Sequence, residues 1–296
     1  MAFARPANYH SAMTIESVGI IGSGIMGSGI AEVAAATGHT VVLRSRSQAT
    51  ADAMVKGLEK SLAKQVERGK RTEAERDEIL ARVSTTVDLH KLADCDLVIE
   101  SVVEDLEVKK HLFAELDLVM KPSAIIATNT STLPVVEMAV ATSRPEKVCG
   151  VHFFNPAPAM ALVEIVRPLT ASEETIAEVV DFATRCGKDP VEVADRAGFI
   201  VNALLFPYLN DAVRLMEQGV ATKEGIDAAM KGGCGFPMGP FALLDLVGLD
   251  TSVSILDALY AETKDPGSNA APTLRRMVAA GHLGRKSGRG FYDYQR

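Results

Sequence analysis

The residues best suited to acid–base chemistry in this chain are His152 and Glu164. His152 lies in "VHFFNPAP", and Glu164 lies inside the apolar run "ALVEIV", where a carboxylate is costly unless it is paired. If the chain turns about Pro158, the two residues are equidistant from the turn and face each other across two antiparallel strands. A carboxylate bonded to one imidazole nitrogen leaves the other nitrogen free to act as a general base. The alternative is a structural His–Glu pair that holds a hairpin.

Polar side chains stand at the ends of three successive apolar runs that are predicted to be strands. In open α/β sheets, ligands bind outside the carboxyl ends of the strands. A single polar strand end would be an ordinary turn, whereas three in succession predict the lip of a pocket. These residues are Glu100 and Ser101 in "DLVIES", Asn129, Thr130 and Ser131 in "IIATNTST", and His152 and Asn155 in "VHFFNPAP".

A glycine fingerprint near the start of the chain predicts a dinucleotide site. The segment "GSGIMG" supplies Gly22, Gly24 and Gly27 directly after the apolar run "VGII" and opens a helical run. The first glycine permits a tight turn, the second lets a pyrophosphate approach, and the third lets helix and strand pack closely. Ile25 and Met26 complete the predicted phosphate loop, which faces the helix N-terminus. The alternative is a glycine-rich helix start without a ligand.

The turn in "HTVVLRSRSQAT" lacks the acidic residue that usually follows such a fingerprint. An Asp or Glu there bonds the adenosine ribose of NAD, whereas an arginine accommodates the 2′-phosphate of NADP. Ser45 occupies the acid's place, and the flanking Arg44 and Arg46 would point the same way if the strand continued. Ser47 can cap the next helix. We therefore expect NADP(H) to be preferred over NAD(H); the alternative is a solvated basic turn.

These residues must be positioned by alternating strands and helices. Short apolar runs alternate with segments of helical periodicity, clearest at 47–69 and 105–120. This alternation predicts an α/β fold with a Rossmann-type, mostly parallel sheet. After about Asp195 no convincing strand precedes the terminal "GFYDY", so an all-helical C-terminal domain is expected. The predicted organisation is a flexible tail over 1–13, a dinucleotide-binding domain carrying the His–Glu pair over 14–195, and a helical domain over 196–296.

Composition argues against several classes of partner and site. The net charge of −7 argues against nucleic acid as a bulk partner. The four cysteines are scattered without metal-ligand spacing, which argues against a zinc site and fits a reducing, cytoplasmic location. The first dozen residues lack a signal-peptide pattern. The apolar stretch 18–38 follows the nucleotide-binding pattern, so we expect no membrane span.

These motifs together resemble the L-3-hydroxyacyl-CoA dehydrogenase family, most closely its short members that act on 3-hydroxybutyryl-CoA. The resemblance runs from about Thr14 through nearly the whole chain. The "HFFNP" block with its downstream glutamate is specific, whereas the glycine motif alone is not. The other matching segments are "DLVIESVVEDLEVKK", "TNTSTL", "GFIVNALLFPYLNDA", "GFPMGPFALLDLVGLD" and "GRKSGRGFYDY".

The resemblance implies reversible hydride transfer between a 3-hydroxyacyl-CoA and a nicotinamide cofactor, with no metal required. His152, supported by Glu164, would remove the hydroxyl proton as hydride leaves C3 of the substrate. Ser131 and Asn202 would hold the substrate's hydroxyl or carbonyl oxygen, and Asn155 would shape the same site.

On the cofactor side, the resemblance matches Glu104 and Lys109 to positions near the nicotinamide and its ribose, and we assign Asn129 to the cofactor site as well. The chain departs from the family pattern at Ala203, where an arginine is common, and at the missing aspartate after the second strand.

A basic face on the second predicted helix is a candidate contact for the coenzyme A phosphates. Its members recur every four residues and are Lys56, Lys60, Lys64 and Arg68. We assign Lys60 and the neighbouring Ser61 to the substrate site. A solvated face interleaved with Glu59 and Glu67 is an equal alternative. The resemblance further implies a homodimer formed through the helical domain.

Three other functions are compatible with parts of the pattern. A hydroxyisobutyrate-type dehydrogenase favours basic residues after the second strand, but it relies on a catalytic lysine and lacks the "HFFNP" block. A gulonate-type dehydrogenase acts on a free sugar acid. A non-catalytic nucleotide-binding protein would not need the set of Ser131, His152, Glu164 and Asn202.

Overall fold

The first part of the chain alternates strands and helices as the sequence predicts. The computed structural model describes residues 14–295, so the expected tail over 1–13 lies outside the described residues. The strands are β1 (Ser17–Ile21), β2 (Thr40–Arg44), β3 (Val83–Thr86), β4 (Leu97–Glu100), β5 (Ile125–Thr128), β6 (Val148–Phe153), β7 (Leu162–Arg167) and β8 (Asp189–Ala194). The helices are α1 (Ile25–Ala36), α2 (Gln48–Glu67), α3 (Glu73–Ala81), α4 (Leu106–Val119), α5 (Val135–Ala139) and α6 (Glu173–Arg185).

The strands form one sheet in the order β3-β2-β1-β4-β5-β6-β7-β8. Every pairing is parallel except that of β6 with β7, which are antiparallel. The strand order reverses between β1 and β4, and such a reversal opens a crevice at the carboxyl ends of the strands. The predicted α/β class and mostly parallel sheet are therefore confirmed, and the glycine fingerprint, which follows β1, lies at this crevice.

Helices α2 and α4 fall within the predicted spans 47–69 and 105–120. Ser47 caps α2 by accepting a hydrogen bond from the Thr50 amide, as expected. Strand β2 ends at Arg44, so the condition for Arg44 and Arg46 to point the same way is not met. Arg44 is half-buried at the end of the strand, and Arg46 is exposed on the turn.

The chain separates into two units at Asp195 and Arg196. The second unit contains α7 (Val201–Glu217), α8 (Lys223–Cys234), α9 (Pro240–Val247), α10 (Leu249–Thr263) and α11 (Pro272–Ala279), which enclose an apolar core of their own. The terminal segment binds this unit through Asp245, whose carboxylate accepts hydrogen bonds from the amides of Phe291 and Tyr292, each 2.8 Å long. Over residues 14–295, no helix is long and apolar enough to cross a membrane.

Candidate active site

His152 and Glu164 face each other on the antiparallel strands β6 and β7. The strand register pairs the two residues directly, and Nδ1 of His152 lies 2.7 Å from Oε2 of Glu164. Both side chains are buried. The predicted pairing about Pro158 is therefore confirmed. A hydrogen bond between Nδ1 and the carboxylate orients the ring and leaves Nε2 for proton transfer.

Ser131 brings a hydroxyl to the Nε2 side of this histidine. Its Oγ lies 3.2 Å from His152 Nε2, at the carboxyl end of the neighbouring strand β5. Asn129 ties the two strand ends together, because its Oδ1 accepts the Phe153 amide at 2.8 Å. Its Nδ2 donates to Ser101 Oγ at 3.3 Å. The predicted pocket lip therefore joins three strand ends, and the cofactor role of Asn129 stays a prediction.

Glu104 and Lys109 lie beside Ser131 and belong to one network of charges. Glu104 Oε1 accepts the Ser131 amide at 2.9 Å, and its Oε2 lies 3.3 Å from Lys109 Nζ. Lys109 also contacts Glu100 at 2.7 Å. Sequence reasoning treated Glu100 only as a polar strand end. The signal that could have revealed this pair was a carboxylate closing an otherwise apolar buried strand, since such a group needs a partner.

The glycine fingerprint forms a cradle whose shape requires residues that have no side chain. A Cβ at Gly22, where φ is +131°, would lie 2.1 Å from the Ser101 carbonyl oxygen, and one at Gly27 would lie 2.2 Å from the Gly22 carbonyl oxygen. At Gly24 a Cβ would meet no described atom within 4 Å. Gly24 caps α1 without a side-chain hydrogen bond, so the first amides of the helix are available to an anion. These residues fit a dinucleotide pyrophosphate.

A pocket of about 600 Å³ extends from this cradle to the turn after β2. Arg44, Ser45 and Arg46 all line it. Ser45 is only 3% exposed, and its hydroxyl is hydrogen-bonded to that of Thr50. Arg44 Nε is buried and has no hydrogen-bond partner among the described residues. The turn therefore presents two guanidinium groups and no carboxylate of its own to the pocket.

A second cavity, of about 730 Å³, lies between α1, α2 and the turn that joins β6 to β7. We call it the groove. Ser61, Lys64, Arg68 and Asn155 line it, together with the start of α1. Lys188 fixes the turn by donating hydrogen bonds to two of its backbone carbonyls, at 2.7 Å and 2.9 Å.

Lys60, which we predicted to bind substrate, does not line the groove, and neither does Lys56. A spacing of four residues turns the helix by about 40° beyond a full turn, so a row built on that spacing drifts around the helix. The row therefore meets the groove only at Lys64 and Arg68. Ser61 does line the groove, although its part in binding stays a prediction.

Asn202 lies in the second unit, on the first turn of α7, where its side chain is buried. Its proposed contact with the substrate oxygen depends on the family resemblance and stays a prediction. Ala203, the position that departs from the family pattern, follows it on the same helix and packs against the apolar core of the second unit.

Comparisons with known proteins agree with this architecture. Residues 17–196 match the family model described as the NAD binding domain of 3-hydroxyacyl-CoA dehydrogenase, and residues 198–294 match that of its C-terminal domain. The chain is 50% identical to a 3-hydroxybutyryl-CoA dehydrogenase of Mycobacterium tuberculosis, over 95% of this chain and 99% of that protein. It is 47% identical to one from Clostridioides difficile, over 94% and 99% of the two chains.

Solved structures give the same result. M. tuberculosis FadB2 superimposes with a TM-score of 0.94 at 49% identity, covering 96% of this chain and all of that one (100%). The (S)-3-hydroxybutyryl-CoA dehydrogenase PaaH1 of Ralstonia eutropha superimposes with a TM-score of 0.93 at 41% identity, with coverage of 96% and 100%. The two family models together match residues 17–196 and 198–294, which span both units of the chain. The chain belongs to the 3-hydroxyacyl-CoA dehydrogenase family.

Proposed function

We propose that this protein catalyses the reversible oxidation of a short-chain 3-hydroxyacyl-CoA, with 3-hydroxybutyryl-CoA and acetoacetyl-CoA as the substrate pair. The observation that carries the proposal is the buried pair of His152 and Glu164, with the Ser131 hydroxyl 3.2 Å from the second imidazole nitrogen, Nε2. The names of the relatives support the acyl chain length, and the family supports a nicotinamide cofactor.

In the oxidative direction, His152 Nε2 accepts the proton of the substrate's 3-hydroxyl group. The bound nicotinamide supplies the hydride acceptor for C3 of the substrate. Glu164 stabilises the imidazolium that forms, and in the reductive direction the same imidazolium returns its proton to the oxygen. Ser131 and Asn202 hold that oxygen by hydrogen bonds, and Asn155 shapes the site. Charge that develops on the oxygen is thus stabilised by preorganised donors.

The cofactor is held by the residues around the fingerprint, and NADP(H) is preferred over NAD(H). Gly24 leaves room for the pyrophosphate at the start of α1, and Gly22 and Gly27 permit the close backbone contacts that shape the loop, which also contains Ile25 and Met26. The preference for NADP(H) is supported by the absence of a carboxylate at Ser45 and by the arginines on either side of it.

The coenzyme A moiety of the substrate lies in the groove. The cations Lys64 and Arg68 line the groove and suit the phosphates. Asn155, which also lines it, follows the end of β6 that carries His152. From Ala53 to Arg68, both of which line the groove, α2 rises about 22 Å, a length that suits an extended coenzyme A arm.

The first unit supplies the cofactor site and the acid–base pair, and the helical unit supplies substrate contacts and the interface of a homodimer. An apolar stripe on the second unit supports the dimer. Ile200, Leu204 and Leu215 are exposed, and their spacing puts them on one face of α7. A cytoplasmic location is supported by the thiols, since Cys95, Cys149 and Cys186 are buried and unbridged.

The experiment that tests the proposed function is a four-way assay of the purified protein. Acetoacetyl-CoA and a longer 3-ketoacyl-CoA are each offered with NADH and with NADPH, and free 3-hydroxyisobutyrate and L-gulonate are offered with the oxidised cofactors. We expect turnover of acetoacetyl-CoA and none of the free acids. Turnover of a free acid alone, or of no thioester, would contradict the proposal. Equilibrium sedimentation at micromolar concentration tests the homodimer, which a monomer would exclude.

A further inference from the structure

We propose that Lys188 is a positioning residue for substrate binding, which holds the turn between β6 and β7 as one wall of the groove and so sets the affinity for the pantetheine arm of an acyl-CoA. The inference rests on the proposed function, because it takes the groove as the coenzyme A site. Lys188 is not among the described residues that line the groove, so it acts through the turn and does not touch the substrate.

The first step is that Lys188 is a buried cation bonded to backbone carbonyls. It is 8% exposed, and its Nζ donates to the carbonyl oxygen of Ala157 at 2.7 Å and to that of Met160 at 2.9 Å. Burial lowers the pKa of its ammonium group. A charge in such a place is costly unless its donors are used. The two hydrogen bonds therefore account for a lysine at this position.

The second step is that the turn needs these two hydrogen bonds. The amides of Ala159 and Met160 both donate to the Pro156 carbonyl oxygen, at 3.0 Å and 3.1 Å, so the segment closes one helix-like turn. The later carbonyls of such a turn have no partner within it. Lys188 supplies the donor for two of them, and one belongs to the buried Ala157. Without Lys188 the turn loses the contacts that fix its shape.

The third step is that the backbone of Lys188 is itself held in place. Gly187, with φ of +69°, follows the end of α6, and the Lys188 amide donates to the Ala183 carbonyl oxygen at 3.0 Å. These contacts are those of a Schellman helix end. The next residue, Asp189, opens β8 and donates its amide to the Ala161 carbonyl oxygen at 2.9 Å. Lys188 thus ties the turn to a fixed point between α6 and the sheet.

The fourth step is that the turn forms an apolar wall of the groove. Four of its residues, 156–159, line the groove, and so do Met54 and Leu58 of α2. The turn also packs against α1, since a Cβ at Gly29 would lie only 3.2 Å from the Ala157 Cβ. A shift of the turn would therefore change the width of the groove. Uncharged walls of this kind suit the pantetheine arm, which carries no phosphate beyond its end.

The main test compares the KM values of three acetoacetyl thioesters, those of coenzyme A, pantetheine and N-acetylcysteamine. Lys188→Met removes the donors, so the turn is no longer ordered before the substrate binds, and this ordering weakens binding of the arm. We expect the KM for the first two thioesters to rise about tenfold, with less than about a twofold change for N-acetylcysteamine and in kcat. An equal rise for all three thioesters, or no rise, would overturn the proposal.

Two control variants separate the wall from charge and from stability. Arg68→Ala should raise the KM for acetoacetyl-CoA but not that for acetoacetyl-pantetheine, which has no phosphates. Lys121→Met also removes a lysine that donates to a backbone carbonyl, that of Asp94 at 3.0 Å, in the same unit and outside the groove. It should leave all three KM values unchanged. The pattern of Lys188→Met in Lys121→Met would indicate a general loss of stability and overturn the inference.

A calorimetric titration with coenzyme A itself needs no turnover. Lys188→Met should raise the Kd for coenzyme A about tenfold and leave the Kd for NADPH within about twofold of wild type. If Lys188→Met does not fold, Lys188→Gln, which keeps a shorter uncharged donor, should raise the coenzyme A Kd about threefold. An unchanged coenzyme A Kd would overturn the inference and leave the proposed function standing. A wild-type protein that reduces no 3-ketoacyl-CoA would remove the proposed function, whereas the coenzyme A Kd would still test the role of Lys188.

Discussion

The imidazole of His152 and the carboxylate of Glu164 form a buried hydrogen bond of 2.7 Å across β6 and β7. Among the strands of residues 14–295 this is the one antiparallel pairing in the sheet, and it lets two residues close in sequence meet at the carboxyl end of β6. The carboxylate fixes the imidazole tautomer, so the nitrogen near Ser131 is the one that can accept a proton. The pairing of β6 with β7 thus determines which imidazole nitrogen of His152 can react.

His152→Ala should lower kcat by roughly 10²–10⁴, the usual contribution of a positioned acid or base. Glu164→Gln should also lower kcat, because an amide supports the imidazolium less well than a carboxylate. Both are measured with acetoacetyl-CoA at saturating cofactor, and circular dichroism checks the fold. His90→Ala, on an exposed turn, is the control and should retain full activity. A His152→Ala protein with most of its activity would show that the acid–base assignment is wrong.

The pairing of His152 with Glu164 could be predicted because it depends on local information. Two apolar runs joined by a short turn have few possible registers, and a slip of one residue would turn every side chain to the opposite face of the sheet. A buried carboxylate opposite a histidine then selects one register. The positions of the glycine fingerprint and of α2 and α4 were predictable for the same reason, since their patterns are contiguous in the sequence.

The network around Lys109 was not predictable in this way. Glu100, Lys109 and Thr128 meet only because β4 pairs with β5 and because α4 packs beside them. Nothing in the sequence near Lys109 indicates that its charge is buried. The assignment of Lys60 failed for a different reason. The four-residue spacing of the basic row can be read from the sequence, but which of its residues line the groove depends on how α2 is rotated against α1.

The groove gives a prediction that distinguishes basic residues of α2 and its C-cap. Arg68→Ala and Lys64→Ala should each raise the KM for acetoacetyl-CoA by roughly three- to tenfold, because exposed charge-assisted bonds to phosphate are worth at most a few kcal/mol. Lys56→Ala, on the same helix but outside the groove, is the matched control and should leave KM unchanged.

The same variants should not change the KM for an acetoacetyl thioester of N-acetylcysteamine, which has no phosphates. If Lys56→Ala weakens acetoacetyl-CoA binding as much as Arg68→Ala does, the effect is one of overall charge, and the groove is not the coenzyme A site.

Asp96 gives a prediction about stability and pH. Burial alone would raise its pKa, but hydrogen bonds from Lys121, from the Glu16 and Ser17 amides and from the Ser17 hydroxyl outweigh burial and lower the pKa to about 2. Because the folded pKa lies below the ordinary value of 3.8, the stabilisation is complete above about pH 4 and is lost as the pH falls toward 2. Asp96→Asn should therefore lower the free energy of unfolding by about 2 kcal/mol at pH 7.

Urea denaturation of wild type and Asp96→Asn from pH 7 to pH 3 measures this difference. The difference in the free energy of unfolding should fall by about half at pH 3. The wild-type protein loses part of the stabilisation from its ionised carboxylate at that pH, whereas the uncharged asparagine of the variant does not titrate. Asp105→Asn, at the exposed start of α4, is the control. A difference between wild type and Asp96→Asn that is constant over this range would contradict the lowered pKa.

The turn after β2 gives the prediction about cofactor choice. Arg44 and Arg46 line the pocket that leads from the glycine cradle, and Ser45 between them carries no charge. Each charge-assisted bond to a 2′-phosphate is worth roughly 1.5–3 kcal/mol, so two such bonds should favour NADPH over NADH by at least about tenfold in kcat/KM after losses from exposure. Arg46→Ala should lower the efficiency with NADPH while leaving that with NADH nearly unchanged, because NADH has no 2′-phosphate for Arg46 to bind.

Ser45→Asp should reverse this preference. The position is 3% exposed, so a carboxylate there is poorly screened; it repels a 2′-phosphate and accepts hydrogen bonds from a ribose 2′-hydroxyl. Initial rates at saturating acetoacetyl-CoA, with NADH and NADPH varied in parallel, measure the ratio for wild type and variant. Thr50→Val removes the hydroxyl bonded to Ser45 without adding a charge, and this control should keep the wild-type order. A wild-type protein that uses NADH as well as or better than NADPH would refute the proposed role of the two arginines.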